Sequence, residues 1–150
     1  MELSDLYSEK ILDLAGNARQ PGRLADADVS ARKVSRVCGS VIEVDLQLRD
    51  GVIIGYGHEI SACALGQTSA AIVAREILGT PASEFLAVRE AMYAMLKQGG
   101  RPPGGKWDDL KYLEPVRDYP ARHASTLLVF DAVAAALEKR ESSQQVVAQG

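Results

Sequence analysis

Two cysteines carry the chemistry hardest to replace in this chain: Cys38 opens a Cys38-Gly39-Ser40 turn before a strand pattern, and Cys63 falls at the start of a helix pattern. A thiolate is both a nucleophile toward sulfur and a soft ligand for iron or zinc. A fold that brings these two ends together therefore holds a two-thiol site for metal or sulfur chemistry. The competing reading is core filling, since free cysteine is among the most buried residue types. With no C-x-x-C or paired-histidine spacing in the chain, spacing alone favours core filling. His58 and Glu59, just upstream of Cys63, could orient or ligate, or could face water at a strand end.

The elements that must position these residues read as an α+β domain. Leu3, Leu6, Tyr7, Ile11 and Leu14 recur at helical spacing up to Gly16. Residues 31–36 suit an edge strand. Val41 to Leu48 alternates Ile42, Val44, Leu46 and Leu48 against Glu43, Asp45 and Gln47, which predicts one buried and one wet face. Asp50-Gly51 supplies the positive φ of a tight hairpin, so Val52 to Tyr56 returns antiparallel. The expected sheet is small, two- or three-stranded and antiparallel, and it needs helices to cover its apolar face. Ser61 can cap a helix running to about Leu78, with Cys63 in its first turn, where orphan N–H groups and the helix dipole favour an anion. Small residues from Ala62 to Ala74 predict close packing of that helix. Thr80 and Pro81 read as cap and first position of the next helix, with Phe85, Val88, Met92 and Met95 as its buried stripe. A Pro/Gly loop, a short helix from Asp108 to about Leu113, and a last helix from Pro120 to about Lys139 with Leu127, Phe130, Ala134 and Leu137 on one face complete the pattern. Residues 1–140 read as a single domain, and the polar stretch 141–150 as a disordered tail.

Composition excludes several function classes. With 150 residues, 47% hydrophobic and 25% charged, the chain suits one compact core. Its net charge of -3, scattered basic residues, two Phe and one Trp argue against nucleic acid as a partner. No apolar run approaches a membrane span. The two distant cysteines and the lack of a signal-peptide pattern suggest a reducing, cytoplasmic setting.

Several pieces in this order resemble the IscU/NifU N-terminal iron-sulfur scaffold family, and above all its SufU branch. They are Leu6-Tyr7-Ser8-Glu9-Lys10-Ile11-Leu12-Asp13 with Asn17-Ala18-Arg19, then Cys38-Gly39-Ser40, then Cys63 with its small-residue run. The segment Pro81 to Tyr119, with Phe85, Met95-Leu96, Asp109-Leu110 and Leu113, is similar to the insertion of the SufU branch, and Pro120-Ala121-Arg122 follows it. The resemblance implies a SufE/NifU-like fold and a metal site of three cysteines and one aspartate. This chain matches Cys38 and Cys63 only. Ser40 stands at the aspartate position and Ser125 at the third cysteine position. His123, two residues before Ser125, could supply a nitrogen for the lost thiolate, or could cap or pack at a helix start. The Leu-Pro-Pro-Val-Lys chaperone motif of the IscU branch is replaced by Arg117-Asp118-Tyr119-Pro120-Ala121-Arg122.

The function this implies is iron-sulfur cluster assembly. A cysteine desulfurase would pass persulfide sulfur to Cys63 or Cys38, and a transient cluster would pass on to apo iron-sulfur proteins; zinc is the other metal the ligands suggest. The metal ligands would be Cys38, Cys63 and His123, or a second protomer would supply its own thiols in a homodimer. The alternative is a degenerate, metal-free module that docks on a desulfurase. A conventional enzyme fits less well: a Cys38/His58 or Cys63/His123 pair has no identified orienting group, so the protein reads as an accessory rather than a catalyst.

Overall fold

The computed structural model describes residues 8–16, 21–37 and 39–149, with side chains as far as residue 141. Ser8 caps α1 (Glu9–Gly16): its Oγ accepts the Ile11 N–H at 3.2 Å and its carbonyl accepts the Leu12 N–H at 3.0 Å. Both donors would otherwise be orphaned at the helix start. Ile11 is the residue α1 buries. Leu3, Leu6 and Tyr7, expected in the same helix, and the stretch 17–20 lie outside the described residues.

The sheet is antiparallel in the order β1 (Val29–Ser35), β2 (Ser40–Arg49), β3 (Val52–Ser61), β4 (Thr80–Pro81). Asp50 and Gly51 have φ of 52° and 78°, the paired positive values of a hairpin turn whose twist matches its strands. β3 runs past Tyr56 as far as Ser61, so Ser61 is a strand residue and not a helix cap. The fourth strand corrects the expected two or three. Thr80 and Pro81 pair with Ile53 and Val52, so they extend the sheet before the next helix begins.

Ile42, Val44 and Leu46 are fully buried on one face of β2, with α4 (His123–Gln149) lying across β1 and β2. The opposite face is not simply wet. Asp45 is buried there because the segment 21–28 folds over it. Arg23 donates to its carboxylate through Nε and Nη2 at 2.6 and 2.9 Å, the Leu24 N–H donates at 3.0 Å, and Ser30 donates its hydroxyl. The Arg23 hydrogen bonds above all push Asp45 down to about 2, since ligands of the charged form favour it. Gly57 sits opposite Asp45 in the register. A Cβ there would strike the Gly22 carbonyl oxygen and come within 3.0 Å of the Leu24 nitrogen.

The helices close the other face. α2 (Ala64–Glu76) and α3 (Ala82–Gln98) follow β3 and β4, and Gly99 ends α3 at φ 67° with its N–H on the Ala94 carbonyl. Phe85, Val88, Met92 and Met95 form the expected stripe. Phe85 joins Trp107 and Phe130 at ring centroid distances of 5.9 and 5.8 Å. The short helix expected from Asp108 is instead a run of 3-10 turns over Gly105–Asp118, in which Trp107, Leu110, Leu113 and Val116 are buried. Their three-residue spacing matches three residues per turn, which is why an unusually long 3-10 run can keep one face in the core. α4 continues over 141–149, which composition reads as a disordered tail. No described helix is long and apolar enough to cross a membrane.

Gly57→Ala tests the cover over Asp45. Backbone, not a flexible side-chain end, blocks the new methyl, so the substitution is expected to destabilise by about 1–3 kcal/mol, read as a lower urea midpoint with an unchanged slope.

Candidate functional site

Three elements distant in sequence meet at one point. Ser40 begins β2, Cys63 is the N-cap of α2, and Ser125 lies in the first turn of α4. Ser125 Oγ stands 3.2 Å from Cys63 Sγ and 3.3 Å from Ser40 Oγ. Both serines are buried, while Cys63 is partly exposed and carries a free thiol. Three of the four ligand positions implied by resemblance thus converge, with one thiol and two hydroxyls in the places of two thiols and a carboxylate. Cys63 is not in the first turn of its helix, and its sulfur makes no capping bond to the helix N–H groups. It faces the Ser125 hydroxyl.

Gly66, one turn into α2, sets this spacing. A Cβ at 66 would lie 2.9 Å from Ser125 Oγ and 2.8 Å from the Ala62 Cβ. The run of small residues around Cys63 is the sequence signal for that approach. Cys38 lies outside the described residues. Its neighbours Val37 and Gly39 belong to the turn from β1 to β2, where Gly39 has φ 71° and donates its N–H to the Ser35 carbonyl at 2.8 Å. Ser35 pairs in turn with Ser40.

The histidines do not join this point. His123, the first residue of α4, is buried, with Nε2 at 3.0 Å from the Val116 carbonyl and 3.1 Å from that of Arg117. Carbonyls only accept, so Nε2 carries the proton. Nδ1 is left to accept from the Lys97 ammonium at 3.4 Å. His123 therefore ties the end of the 3-10 run to α4, and neither ring nitrogen is turned to a ligand. His58 does not face water. It is buried on the helix-covered face of β3, opposite Val44, with Nδ1 at 2.7 Å from the Tyr56 hydroxyl. Glu59 is exposed. Among the described residues no group of three or more His, Cys, Asp or Glu side chains converges as a metal site. A cavity of about 760 Å³ beside Arg89, Tyr93 and Asp131 is lined by none of Ser40, Cys63 and Ser125.

With this geometry in view, the chain compares with known proteins as follows. The family profile described as NifU-like N terminal domain matches residues 6–107. The iron-sulfur cluster assembly scaffold protein IscU of Thermotoga maritima is 30% identical over 134 residues, covering 89% of this chain and 94% of that protein. The crystal structure of a nitrogen-fixing NifU-like protein (N-terminal) from Brucella abortus superposes with a TM-score of 0.91 at 50% identity, over 93% of this chain and 97% of that one. A putative iron-sulfur cluster assembly scaffold protein for the SUF system from Fervidobacterium islandicum, with a TM-score of 0.82 at 21% identity over 91% of this chain and 99% of that one, shares the fold.

Burial gives His58 a measurable signature. Desolvation disfavours its charged form and lowers it from 6.5 to about 4. A depressed histidine contributes stability that is fully present above about 6.5, fades as pH falls, and is gone below about 4. Between about pH 7 and about pH 5, wild type should lose about 2 kcal/mol of unfolding free energy that a His58→Gln variant does not lose. Urea titrations of both proteins at the two pH values measure it.

Proposed function

Because this chain belongs to the NifU-like N-terminal domain family, we propose that it is an iron-sulfur cluster assembly scaffold, with Cys63 as the sulfur-accepting and cluster-holding thiol. The observation that carries this reading is the meeting of Cys63 with Ser40 and Ser125 at one partly open point. The resemblance assigns cluster ligands to all three of these positions. Cys38, the other cysteine of the chain, lies outside the described residues and is the second thiol that the resemblance assigns.

Sulfur would arrive as a persulfide on a cysteine desulfurase. The Cys63 thiolate attacks the outer sulfur, a Cys63 persulfide forms, and the donor's own cysteine leaves as thiolate, so the exchange needs no further oxidant. The Ser125 hydroxyl, 3.2 Å from the sulfur, is placed to donate a hydrogen bond to the anion. Partial exposure of Cys63 gives the donor access. The cluster is cargo, handed on to apo iron-sulfur proteins, which suits a site with few strong ligands. Zinc is less well served: a closed zinc site takes four N, S or carboxylate ligands, and the described residues bring together one thiol and two hydroxyls. We place this work in the cytoplasm, where thiols stay reduced.

Anaerobic incubation with ferrous iron and sulfide, followed by desalting, tests the reading. Wild type should retain iron and show sulfur-to-iron charge-transfer absorption, and Cys63→Ser should lose most of both. A variant that keeps full iron and colour, and still gains one sulfur atom in mass from a desulfurase, would show that Cys63 is not the working thiol.

A further inference from the structure

The two edges of the sheet are built differently. β4 at one edge has two residues and leads directly into α3. β1 at the other has seven, pairs with β2 along one side, and has no strand on its other side among the described residues. Such an edge presents a row of backbone N–H and C=O groups that can template one more strand. Arg32, Lys33 and Val34 are exposed in succession. Neighbouring side chains on a strand point to opposite faces, so exposure of all three means that the edge itself is open. Only toward its start is it closed, where Lys139 donates to the Ser30 carbonyl at 3.2 Å.

A groove runs beside this edge. The cavity of about 760 Å³ and a second one of about 350 Å³ share Lys33, Tyr93 and Asp131. The second is lined by Lys33, Val34 and Ser35 from β1, and by Tyr93 of α3 and Leu127 and Leu128 of α4. Three consecutive residues can line one wall only where a strand turns its edge toward it.

The charge of the edge selects its occupant. Val29 to Val37 contains Arg32, Lys33 and Arg36 and no acidic residue, in a chain of net charge -3. Lys33 takes part in none of the ion pairs among the described residues. Lys97, which lines the smaller cavity with it, faces the Nδ1 of His123. Asp131, common to both cavities, is already held by Arg89 and Tyr93. Asp50, Glu138 and Glu141 are exposed and line the larger cavity only. A second copy is a poor occupant, because twofold pairing of β1 with itself brings basic residues against basic residues.

We propose that β1 docks an extended acidic segment of a partner protein, which adds to the sheet as a fifth strand. Main-chain hydrogen bonds to the open edge supply affinity, and the side chains on either side of it supply specificity. One row of the added strand enters the groove, with apolar side chains against Tyr93, Leu127 and Leu128 and a carboxylate between Lys33 and Lys97. The other row lies beside Arg32, where carboxylates also suit. This contact does not use Cys63. Its far end is Ser35, paired with Ser40, so a partner anchored along β1 is held next to the strand that reaches the thiol.

The test uses the full-length protein and three blocked, fluorescently labelled heptapeptides: glutamate alternating with valine, lysine alternating with valine, and glutamate alternating with proline. The last keeps the charge but cannot pair as a strand. By fluorescence anisotropy the glutamate and valine peptide should bind about tenfold or more tightly than either of the others. The Arg32→Thr/Lys33→Thr variant should weaken it by a similar factor, and hydrogen exchange of the β1 amides should slow when it is bound. No binding up to about 1 mM, equal binding of all three peptides, or binding without slower exchange in β1 would overturn the proposal. A dimer of the protein alone that protects the β1 amides would overturn it in favour of a second copy.

Discussion

Position 66 admits no side chain, and the site depends on that. α2 and α4 approach so closely there that even a methyl group would press on both the Ser125 hydroxyl and Ala62. This closeness brings the N-cap of one helix within hydrogen-bond reach of the first turn of the other. Ser125 then reaches the first residue of β2. A helix built from larger residues would hold the same fold further apart and leave Cys63 alone at its helix start. Close packing transmits such changes because protein interiors have little free volume to absorb them.

The frame around this point is held by polar groups that are fully occupied elsewhere. Asp45 and Arg23 fasten the 21–28 segment to the back of the sheet, while Tyr56 and His58 pair on its front. His123 clasps the end of the 3-10 run to the start of α4, two residues before Ser125. Each would be costly if left unpaired in the interior. Of the three elements that meet at Cys63, β2 and α4 are thus each fixed by an interaction outside the site, and α2 is tied to α1 by Thr68, whose hydroxyl donates to the Ile11 carbonyl at 3.1 Å.

Local patterns were legible where local physics decides. Asp50-Gly51 announced its turn because few residue pairs tolerate two positive φ values, and the Phe85, Val88, Met92, Met95 stripe announced its helix. Cys63 was read correctly as lying at a helix start, and the meeting of its position with Ser40 and Ser125 was implied by family resemblance alone, since residues 62 and 85 apart leave no local trace of contact. The misread residues are those whose partners are distant. Asp45 looked solvent-facing because its strand alternates, and nothing nearby in sequence shows Arg23 folding over it. His123 looked available because its carbonyl partners come from a separate element. Thr80-Pro81 looked like a helix start because the pairing with Val52 and Ile53 is made across a whole intervening helix.

The segment between α3 and α4 was misjudged for a different reason: a search at 3.6 residues per turn passes over a period of three. That period has its own consequence for how this region tolerates change in length. A 3-10 run rises roughly 2 Å per residue, against roughly 1.5 Å for an α-helix, so the same residues bridge a longer gap along the side of α2. Gain or loss of three residues would move Trp107, Leu110, Leu113 and Val116 by a whole turn and leave the same edge facing inward. Gain or loss of one or two would rotate that edge by about a third of a turn or more and drive apolar side chains into water. Relatives that vary in length here should therefore differ by multiples of three, a grammar of insertion written by helix geometry and indifferent to the chemistry at Cys63.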